Sequence, residues 1–319
     1  MTDPVAPARE RHHVLDLDDF TPEEFEEVFS QTDAMSEVLA RPIAQVPALR
    51  GVTVVNAFYE ESTRTRISFE QAAKALSASV VNFSAQASSV TKGESLVDTV
   101  RTLEALGADV VVLRHAMSGA PYLVAQHFHG AVLNAGDGWH AHPTQGLLDL
   151  YTMRHHFGHI SGLKVVIVGD IVHSRVARSN LWGLTKLGAQ VVLCGPPTLL
   201  GPASYWEAVF PSVRVLHSLD GAIPGADVVM ALRLQKERQE GGLLPTLREY
   251  IRLFCLTPER LARAASHALV MHPGPMNEGV EIAPEVARCS QSVIEEQVSN
   301  GVAVRMALLY MLAGRKTEE

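Results

Sequence analysis

The most chemically suggestive stretch of this sequence is STRTR, which lies between an apolar run and a helical pattern. Ser62 suits a helix N-cap, and the free N–H groups and dipole of a helix start bind phosphate. The hydroxyls of Thr63 and Thr65 add donors, and the guanidinium of Arg64 matches phosphate oxygens. Residues two apart on a helix point to different sides, so we expect Arg64 to reach a ligand and Arg66 to form a structural ion pair. The alternative is an ordinary capped helix start with solvated arginines.

A second candidate for binding an anion is the polar loop SSVTKGES at 88–95. Ser88 and Lys92 could add contacts to an anion that is held near by. The alternative is a surface loop whose lysine is solvated, which is the usual situation of lysine. The residues alone leave both interpretations open.

The segment DGWHAHPTQ, at 137–145, joins an apolar run to a helical pattern. His142 could polarise a carbonyl group, and Gln145, about one turn later, could hold an amide. Asp137, His140 and His142 could instead bind a metal ion. The helical spacing of zinc hydrolases, such as HExxH, is missing, so we favour the first interpretation.

Two arginines of the second half, Arg175 in HSRVARS and Arg233 in LRLQKER, also follow apolar runs. The planar guanidinium of each could bind a carboxylate through two hydrogen bonds. The formal net charge of the chain is −8. If the protein handles anions, it must therefore do so through a local cluster of cationic side chains.

The elements that must position these residues alternate between short Val-rich runs and helical patterns. Thr21 and Pro22 open the first helix, where Glu24 completes a capping box. Val-rich runs joined by helices are typical of parallel β-α-β units. The predicted strands span 51–59, 79–84, 108–115, 131–136, 163–170, 189–195, 226–233 and 268–274, and the later helices span 62–76, 93–107, 174–188 and about 292–312.

Two such blocks predict an α/β fold with two α/β domains, each with a mainly parallel sheet flanked by helices, joined near residue 143. The last helix is apolar on much of its surface, so we expect it to pack against a domain. Parallel α/β sheets bind ligands beyond the carboxyl ends of their strands. The candidate residues follow predicted strands, and this placement favours an enzyme.

Composition argues against several classes of protein. The 319 residues are 47% hydrophobic and 19% charged, which supplies a sizeable core and is untypical of a disordered chain. We expect no membrane span, because no run of about 18 uncharged apolar residues occurs, and no secretory signal, because the opening lacks an apolar core. The negative net charge and the lack of a basic tract argue against nucleic-acid binding. Three widely spaced cysteines predict reduced thiols and a cytoplasmic location.

Three common nucleotide-binding and hydrolase motifs are absent from the sequence. GxGxxG is missing, which argues against a dinucleotide-binding protein. GxxxxGK[ST] and GxSxG are also missing, which argues against a P-loop nucleotidase and an α/β-hydrolase.

Taken together, the motifs resemble the aspartate/ornithine carbamoyltransferase family from about residue 14 to 312. STRTR and HPTQ mark the family as a whole. SSVTKGES, GDIVHSRVARSN, RLQKER and HPGPMNEGVEI resemble its aspartate branch. The ornithine branch usually carries a cysteine in an HCLP segment and an SMG loop, whereas this sequence has HPGP and no SMG. The cationic side chain of ornithine would also be poorly matched to Arg175 and Arg233.

The resemblance implies a division of the chain and an activity. Residues 1–143, with the C-terminal helix at about 293–319, would form a carbamoyl phosphate-binding domain, and residues 144–292 an aspartate-binding domain. The activity would be transfer of the carbamoyl group of carbamoyl phosphate to the α-amine of L-aspartate. The products would be N-carbamoyl-L-aspartate and phosphate, in de novo pyrimidine (UMP) biosynthesis. The family's chemistry needs no cofactor and no metal.

The resemblance also implies roles for the candidate residues. Carbamoyl phosphate would be bound by Ser62, Thr63, Arg64, Thr65, Arg114, His142, Gln145, Pro273 and Gly274, the last two through backbone carbonyls. L-Aspartate would be bound by Lys92, Arg175, Arg233 and Gln235. The catalytic groups would be Arg64, Thr65, Arg114, His142 and Gln145.

A neighbouring subunit would donate Ser88 and Lys92, so we expect a homotrimer or a dimer of trimers. A regulatory chain and a dihydroorotase are open alternatives as further partners. The sequence departs from the family at Glu61, often a neutral residue, and at Glu278, often an arginine. Both changes concern affinity and inter-domain ion pairs rather than site residues. A non-catalytic scaffold would be expected to lack parts of the phosphate site, but all the carried-over residues are present.

Overall fold

The structure, a computed structural model, describes residues 11–84, 94–234 and 246–314. Within these ranges the chain forms two β-sheets flanked by helices. The first part contains β1 (Thr53–Phe58), β2 (Ser79–Ser84), β3 (Val110–His115) and β4 (Ala131–Asp137), with α1 (Pro22–Leu39), α2 (Thr63–Ala75), α3 (Leu96–Ala105), α4 (Ala120–Ala125) and α5 (Pro143–Phe157). The second part contains β5 (Lys164–Val168), β6 (Gln190–Cys194), β7 (Arg214–Leu216), β8 (Val228–Ala231) and β9 (Leu269–Met271), with α6 (Arg175–Lys186), α7 (Pro197–Leu200), α8 (Ala203–Val209), α9 (Leu219–Ala222), α10 (Leu247–Phe254), α11 (Pro258–Leu261), α12 (Pro284–Ala287) and α13 (Ile294–Ala313).

Both sheets are parallel, as predicted. The first has the strand order β2-β1-β3-β4, and the second has the order β7-β6-β5-β8-β9. Each sheet winds outward from a central strand, so the connections cross from one face to the other. This arrangement confirms the predicted fold class of two α/β units with mainly parallel sheets.

Strand β3 shows why these runs form central strands. Val110 and Val112 face one apolar cluster, whereas Val111 and Leu113 face another on the opposite side of the sheet. All four side chains are fully buried. A strand covered by helices on both faces needs apolar residues at every position, and the Val-rich sequence supplies them.

The helix ends follow their sequence signals at both ends of the chain. Thr21 caps α1 by accepting a hydrogen bond from the backbone N–H of Glu24, and Glu24 accepts one from the N–H of Thr21. The final helix, α13, packs on α1, α2 and α5, so the C-terminal helix returns to the first part of the chain as predicted. No helix in the described part of the chain has the length and apolar character needed to cross a bilayer.

The predicted elements match the observed ones in type and order, but most predicted strands are two to four residues too long. The extra residues flank the strands, and several of them, such as Val52, Leu163 and Leu232, are buried and apolar, so hydrophobicity alone did not mark the strand ends. Strand β7, helix α4 and the short helices of the second part were missed. β7 has three residues, and one of them, Arg214, is exposed, so it lacks the buried run that marks the other strands.

Candidate active site

A cavity of about 550 Å³ lies between the two parts of the chain, at the carboxyl ends of both sheets. It is lined by the turn before α2, the end of β3, the start of α5, the start of α6, the segment after β8 and the segment after β9. The predicted site residues that line it are Ser62, Thr63, Arg64, Thr65, Arg114, His142, Gln145, Arg175, Arg233, Pro273 and Gly274. The rule that ligands bind beyond strand ends therefore predicted where these residues meet.

The STRTR segment, which forms the N-cap and first turn of α2, lines this cavity with its hydroxyl groups and the start of the helix. Ser62 occupies the N-cap position of α2, but its side chain makes no capping hydrogen bond. The sequence therefore predicted the N-cap position correctly, but not that the Ser62 side chain would leave the helix N–H groups uncapped. A helix start without a side-chain cap keeps its N–H groups available for an anion.

Arg64 lies close to Arg233 and Gly274 in the cavity. Burial, and then the charge of Arg233, lower the pKa of the Arg64 guanidinium. Gly274 has φ +64°, and a Cβ atom there would lie 2.9 Å from Nη1 of Arg64. The glycine therefore gives the backbone after β9 room to pass directly beside this guanidinium.

Arg66, in contrast to Arg64, does not line the cavity. The pKa of Glu70 is lowered, first by hydrogen bonds from Lys74 and Asn82 and to a smaller extent by the charge of Arg66. The opposite directions of Arg64 and Arg66 agree with the facing argument made from their spacing.

A carboxylate links two of the cavity arginines. Oε2 of Glu60 lies 2.8 Å from Nη2 of Arg175 and 3.3 Å from Nε of Arg114. Arg175 also donates to the carbonyl oxygen of Gly138, at 3.2 Å, and Arg114 donates to that of Ala135, at 3.1 Å. Glu60 thus joins the two parts of the chain across the cavity, and sequence reasoning gave it no role.

His142 is buried at the first position before α5. Its backbone N–H donates to the hydroxyl of Ser179 at 2.9 Å, and its Nδ1 has no hydrogen-bond partner within the described residues. Burial, followed by the charges of Arg114, Arg175 and Arg305, holds the pKa of the imidazole well below its usual value. A neutral imidazole can still donate one N–H to a carbonyl oxygen.

Gln145 is held from behind by a buried carboxylate. Its Nε2 donates to Oδ1 of Asp149 at 2.9 Å. Asp149 is fully buried, one helical turn after Gln145 on α5. The amide of Gln145 is therefore fixed in one orientation.

A fifth arginine, Arg305 on α13, also reaches the cavity and was missed by sequence reasoning. Nη1 of Arg305 donates to Oγ of Ser68, at 2.8 Å, and to the carbonyl oxygen of Gly301. Burial lowers the pKa of this guanidinium to about 10, against the attraction of Asp149. The one sequence signal of a buried role was a charge within the apolar C-terminal half of α13.

The alternative metal site at Asp137 is not assembled. Asp137 accepts hydrogen bonds from the N–H groups of Gly119 and Ala141 and pairs with His140 at 3.1 Å. His142 instead lines the cavity. Across the described ranges, no three His, Cys, Asp or Glu side chains are grouped so as to hold a metal ion.

Ser88, Lys92 and Gln235 lie outside the described residues. Of the two departures from the family pattern, Glu61 is exposed at the rim of the cavity. Glu278 pairs with Arg288 at 2.8 Å and stays away from the cavity.

Chemically, the cavity is suited to anions. Five arginines reach it, whereas the lining carboxylates are Glu60 and Glu61. Hydroxyl and helix N-terminal donors lie on one side, and guanidinium groups of the second part lie on the other. Such an arrangement can hold a phosphate beside a carboxylate and stabilise a carbonyl oxygen that gains negative charge between them.

Comparison with known proteins identifies the family. The family model described as aspartate/ornithine carbamoyltransferase, carbamoyl-P binding domain, matches residues 12–155. The model described as the Asp/Orn binding domain of the same family matches residues 161–312.

Individual relatives agree with the family models. The aspartate carbamoyltransferase catalytic subunit of Chloroflexus aggregans is 70% identical over 304 residues, covering 95% of this chain and 99% of that one. The corresponding subunit of Roseiflexus castenholzii is 67% identical over 317 residues, covering 98% and 100%.

Solved structures of aspartate transcarbamoylases have the same fold. The aspartate transcarbamoylase of Trypanosoma cruzi, in complex with carbamoyl aspartate and phosphate, has a TM-score of 0.86 at 30% identity, covering 93% of this chain and 94% of that one. The catalytic subunit of the M. jannaschii enzyme has a TM-score of 0.84 at 34% identity, covering 97% and 100%. These matches, together with the fold and the cavity, show that the chain belongs to the aspartate/ornithine carbamoyltransferase family.

Proposed function

We propose that the protein transfers the carbamoyl group of carbamoyl phosphate to the α-amine of L-aspartate. The products are N-carbamoyl-L-aspartate and phosphate, and the reaction serves de novo pyrimidine (UMP) biosynthesis. The observation that carries the proposal is the convergence of five arginines and the STRTR turn on one cavity. The relatives named aspartate carbamoyltransferase catalytic subunit support it.

The phosphate of the first substrate lies at the start of α2 in this proposal. Ser62, Thr63 and Thr65 donate from their hydroxyl and backbone groups, and Arg64 adds a planar pair of donors. The unused side-chain cap at Ser62 supports this role, because the helix N-terminus is left open to a ligand.

The carbamoyl group lies between the end of β3 and the start of α5. Arg114 and the neutral imidazole of His142 donate to its carbonyl oxygen, together with Thr65. Gln145 and the backbone carbonyls of Pro273 and Gly274 accept from its NH2 group. The lowered pKa of His142 supports a role as hydrogen-bond donor rather than as a titrating acid.

L-Aspartate binds on the side of the second part of the chain. Arg175 and Arg233 each hold one of its carboxylates, and Gln235 and the neighbouring subunit's Lys92 complete the set. Two carboxylates require two cationic partners, and both arginines line the cavity.

The reaction then needs no side chain as a nucleophile. The neutral α-amine of aspartate attacks the carbamoyl carbon, and negative charge develops on the carbonyl oxygen, where the donors stabilise it. The C–O bond to phosphate breaks, and the departing phosphate takes the proton that the amine loses. Holding two anions side by side supplies an effective molarity worth about 7–11 kcal/mol. Closure of the two parts around the substrates would exclude water.

The proposal includes the division of the chain and its assembly. Residues 1–143 with the helix at about 293–319 bind carbamoyl phosphate, and residues 144–292 bind L-aspartate. The active unit is a cytoplasmic homotrimer, alone or as a dimer of trimers, with a regulatory chain or a dihydroorotase as candidate partners. In the trimer, Ser88 and Lys92 enter the site of the neighbouring subunit.

A two-substrate assay tests the activity. Purified protein is supplied with carbamoyl phosphate and either L-aspartate or L-ornithine, and the carbamoylated product is quantified. We expect product with aspartate only, because Arg175 and Arg233 repel the cationic side chain of ornithine. Product with ornithine alone would overturn the proposal.

Mixing variants tests the shared site. Lys92→Ala and Arg64→Ala chains are each inactive in homogeneous trimers under this proposal. Mixed trimers contain sites with an intact Arg64 from one chain and an intact Lys92 from its neighbour, so activity should partly return. No recovery in verified mixed trimers would indicate that each site is built within one chain.

A further inference from the structure

A buried polar network lies directly behind the cavity, centred on Asp149. Its carboxylate is fully buried, on the face of α5 that also carries Gln145 one turn earlier. Burying a carboxylate is costly unless it is hydrogen-bonded, so its partners must be accounted for.

Three side-chain amides donate to this carboxylate. Oδ1 accepts from Nε2 of Gln145 at 2.9 Å and from Nε2 of Gln297 at 2.7 Å. Oδ2 accepts from Nδ2 of Asn180 at 2.8 Å. The donors come from α5, α13 and α6, so one side chain ties together three helices that border the cavity.

The ionised carboxylate decides how the two glutamine amides are turned. A carboxylate ion only accepts hydrogen bonds, so the NH2 groups of Gln145 and Gln297 must face it and their oxygens must point away. The Oε1 of Gln297 accepts from the backbone N–H of His272 at 3.0 Å. Asp149 therefore fixes the amide of Gln145 and, through Gln297, anchors the segment that leads to Pro273.

The charge state of Asp149 fits this role. Burial raises its pKa to about 6, while the hydrogen bonds from Asn180, Gln297 and Gln145 and the charge of Arg305 oppose that rise. Arg305 is the charged group that faces it from α13, and α6 contributes the neutral Asn180. The carboxylate is ionised at pH 7 and above, where it acts only as an acceptor.

We propose that Asp149 is a positioning residue that aims the acceptors for the carbamoyl NH2 group, an inference that rests on the proposed function. The NH2 group has two N–H donors and needs two acceptors. Gln145 and the backbone at Pro273 and Gly274 supply them, and the Asp149 network holds both. A ligand that has the phosphate but lacks the NH2 group gains nothing from this arrangement.

Acetyl phosphate is such a ligand, because a methyl group replaces the NH2 group. In Asp149→Asn, one acceptor oxygen becomes an NH2 donor, so one of the three amides must turn. We expect kcat/KM for carbamoyl phosphate to fall at least tenfold, while the inhibition constants of acetyl phosphate and inorganic phosphate change less than twofold. An equal loss for both acyl phosphates, or no loss for either, would overturn the positioning role.

Asp227→Asn is the matched control. Asp227 accepts from the backbone N–H of Lys164 at 2.8 Å and pairs with His267, just before β8 at the end of the sheet remote from the cavity. Its replacement should alter the melting temperature without changing the preference for carbamoyl over acetyl phosphate. A changed preference in this control would show that the readout reports general destabilisation and would overturn the inference.

A second variant covers the case in which Asp149→Asn does not fold. Gln297→Ala keeps the carboxylate but removes its link to His272, so it should also lose preference for carbamoyl phosphate over acetyl phosphate. An unchanged preference there would count against the network. Wild-type protein that fails to carbamoylate aspartate would refute the proposed function as well, whereas active wild type with an unchanged preference in the variants refutes the positioning role alone.

Discussion

Replacing Glu60 by glutamine tests the ion pairs that join the two parts of the chain across the cavity. Glu60 contacts Arg114 at 3.3 Å and Arg175 at 2.8 Å. Glutamine keeps the size of the side chain and removes its charge. Without the carboxylate, Arg114 and Arg175 lose the negative charge that they share, and Arg175 loses one of its fixed contacts.

The size of the effect follows from the two distances. At an effective dielectric constant of about 20, a unit charge on Glu60 attracts that of Arg175 by about 6 kcal/mol and that of Arg114 by about 5 kcal/mol, before desolvation is counted. The side chain of Glu60 is 23% exposed and that of Arg175 is 5% exposed. Desolvation and partial exposure reduce the net loss to about 1–3 kcal/mol. The hydrogen bond from Arg175 to Gly138 remains.

We expect kcat/KM for aspartate to fall about tenfold in Glu60→Gln, which corresponds to about 1.4 kcal/mol. Steady-state kinetics with aspartate varied at saturating carbamoyl phosphate measures this value. Glu61→Gln is the matched control, because Glu61 is the exposed neighbour and forms no ion pair in the described residues. Equal kinetics for the two variants would refute the argument that the Glu60 bridge positions Arg175.

Three further predictions concern single side chains. Arg64→Ala should lower kcat/KM at least 100-fold and Arg66→Ala less than threefold, in the same assay, because only Arg64 lines the cavity; the reverse order would reject the facing argument. The imidazole of His142 should be neutral at pH 6.5, where an ordinary histidine is half protonated, since burial and neighbouring arginines lower its pKa, and 15N chemical shifts of labelled histidine would show a protonated ring if this is wrong. His13 accepts a hydrogen bond from the N–H of Val132, and burial lowers its pKa to about 4. Its folded pKa lies below the unfolded value of 6.5, so protonation costs stability as the pH falls from 6.5 towards 4, by about 1–2 kcal/mol after screening. Denaturant unfolding of His13→Asn, which keeps an acceptor but does not titrate, should show that much less loss, and identical pH profiles would contradict the assignment.

The position of the site could be predicted from the sequence because it follows from the architecture. In parallel β-α-β units all strand carboxyl ends meet at one edge, so polar residues after successive strands must converge. Arg114 lies at the end of β3, Arg64, His142, Arg175 and Arg233 follow strands, and all five line the cavity. The type and order of the main elements could be predicted for the same reason, since Val-rich runs and capped helices are local signals.

The partners of these residues could not be predicted, because they are set by packing between distant segments. Arg305 bonds to Ser68 across 237 positions, and Gln297 bonds to Asp149 across 148. No local pattern marks such pairs. Glu60 stood next to the recognised motif, yet its role depends on Arg175 in the other part of the chain.

The capping signal at the start of α2 predicted the position of the N-cap but not its hydrogen bonding. Ser62 has the residue type and position of an N-cap, but its side chain forms no capping bond. Thr21, with the same expectation, forms a full capping box. The two sites differ because Ser62 faces an arginine-lined cavity, where the free helix start can serve a ligand.

The most direct test of the central claim is a crystal structure with the bisubstrate analogue N-(phosphonacetyl)-L-aspartate. We expect its phosphonate on the turn formed by residues 62–65 and its two carboxylates on Arg175 and Arg233. An analogue bound elsewhere on the molecule, with that turn and those arginines unoccupied, would contradict the claim that one cavity holds both substrates.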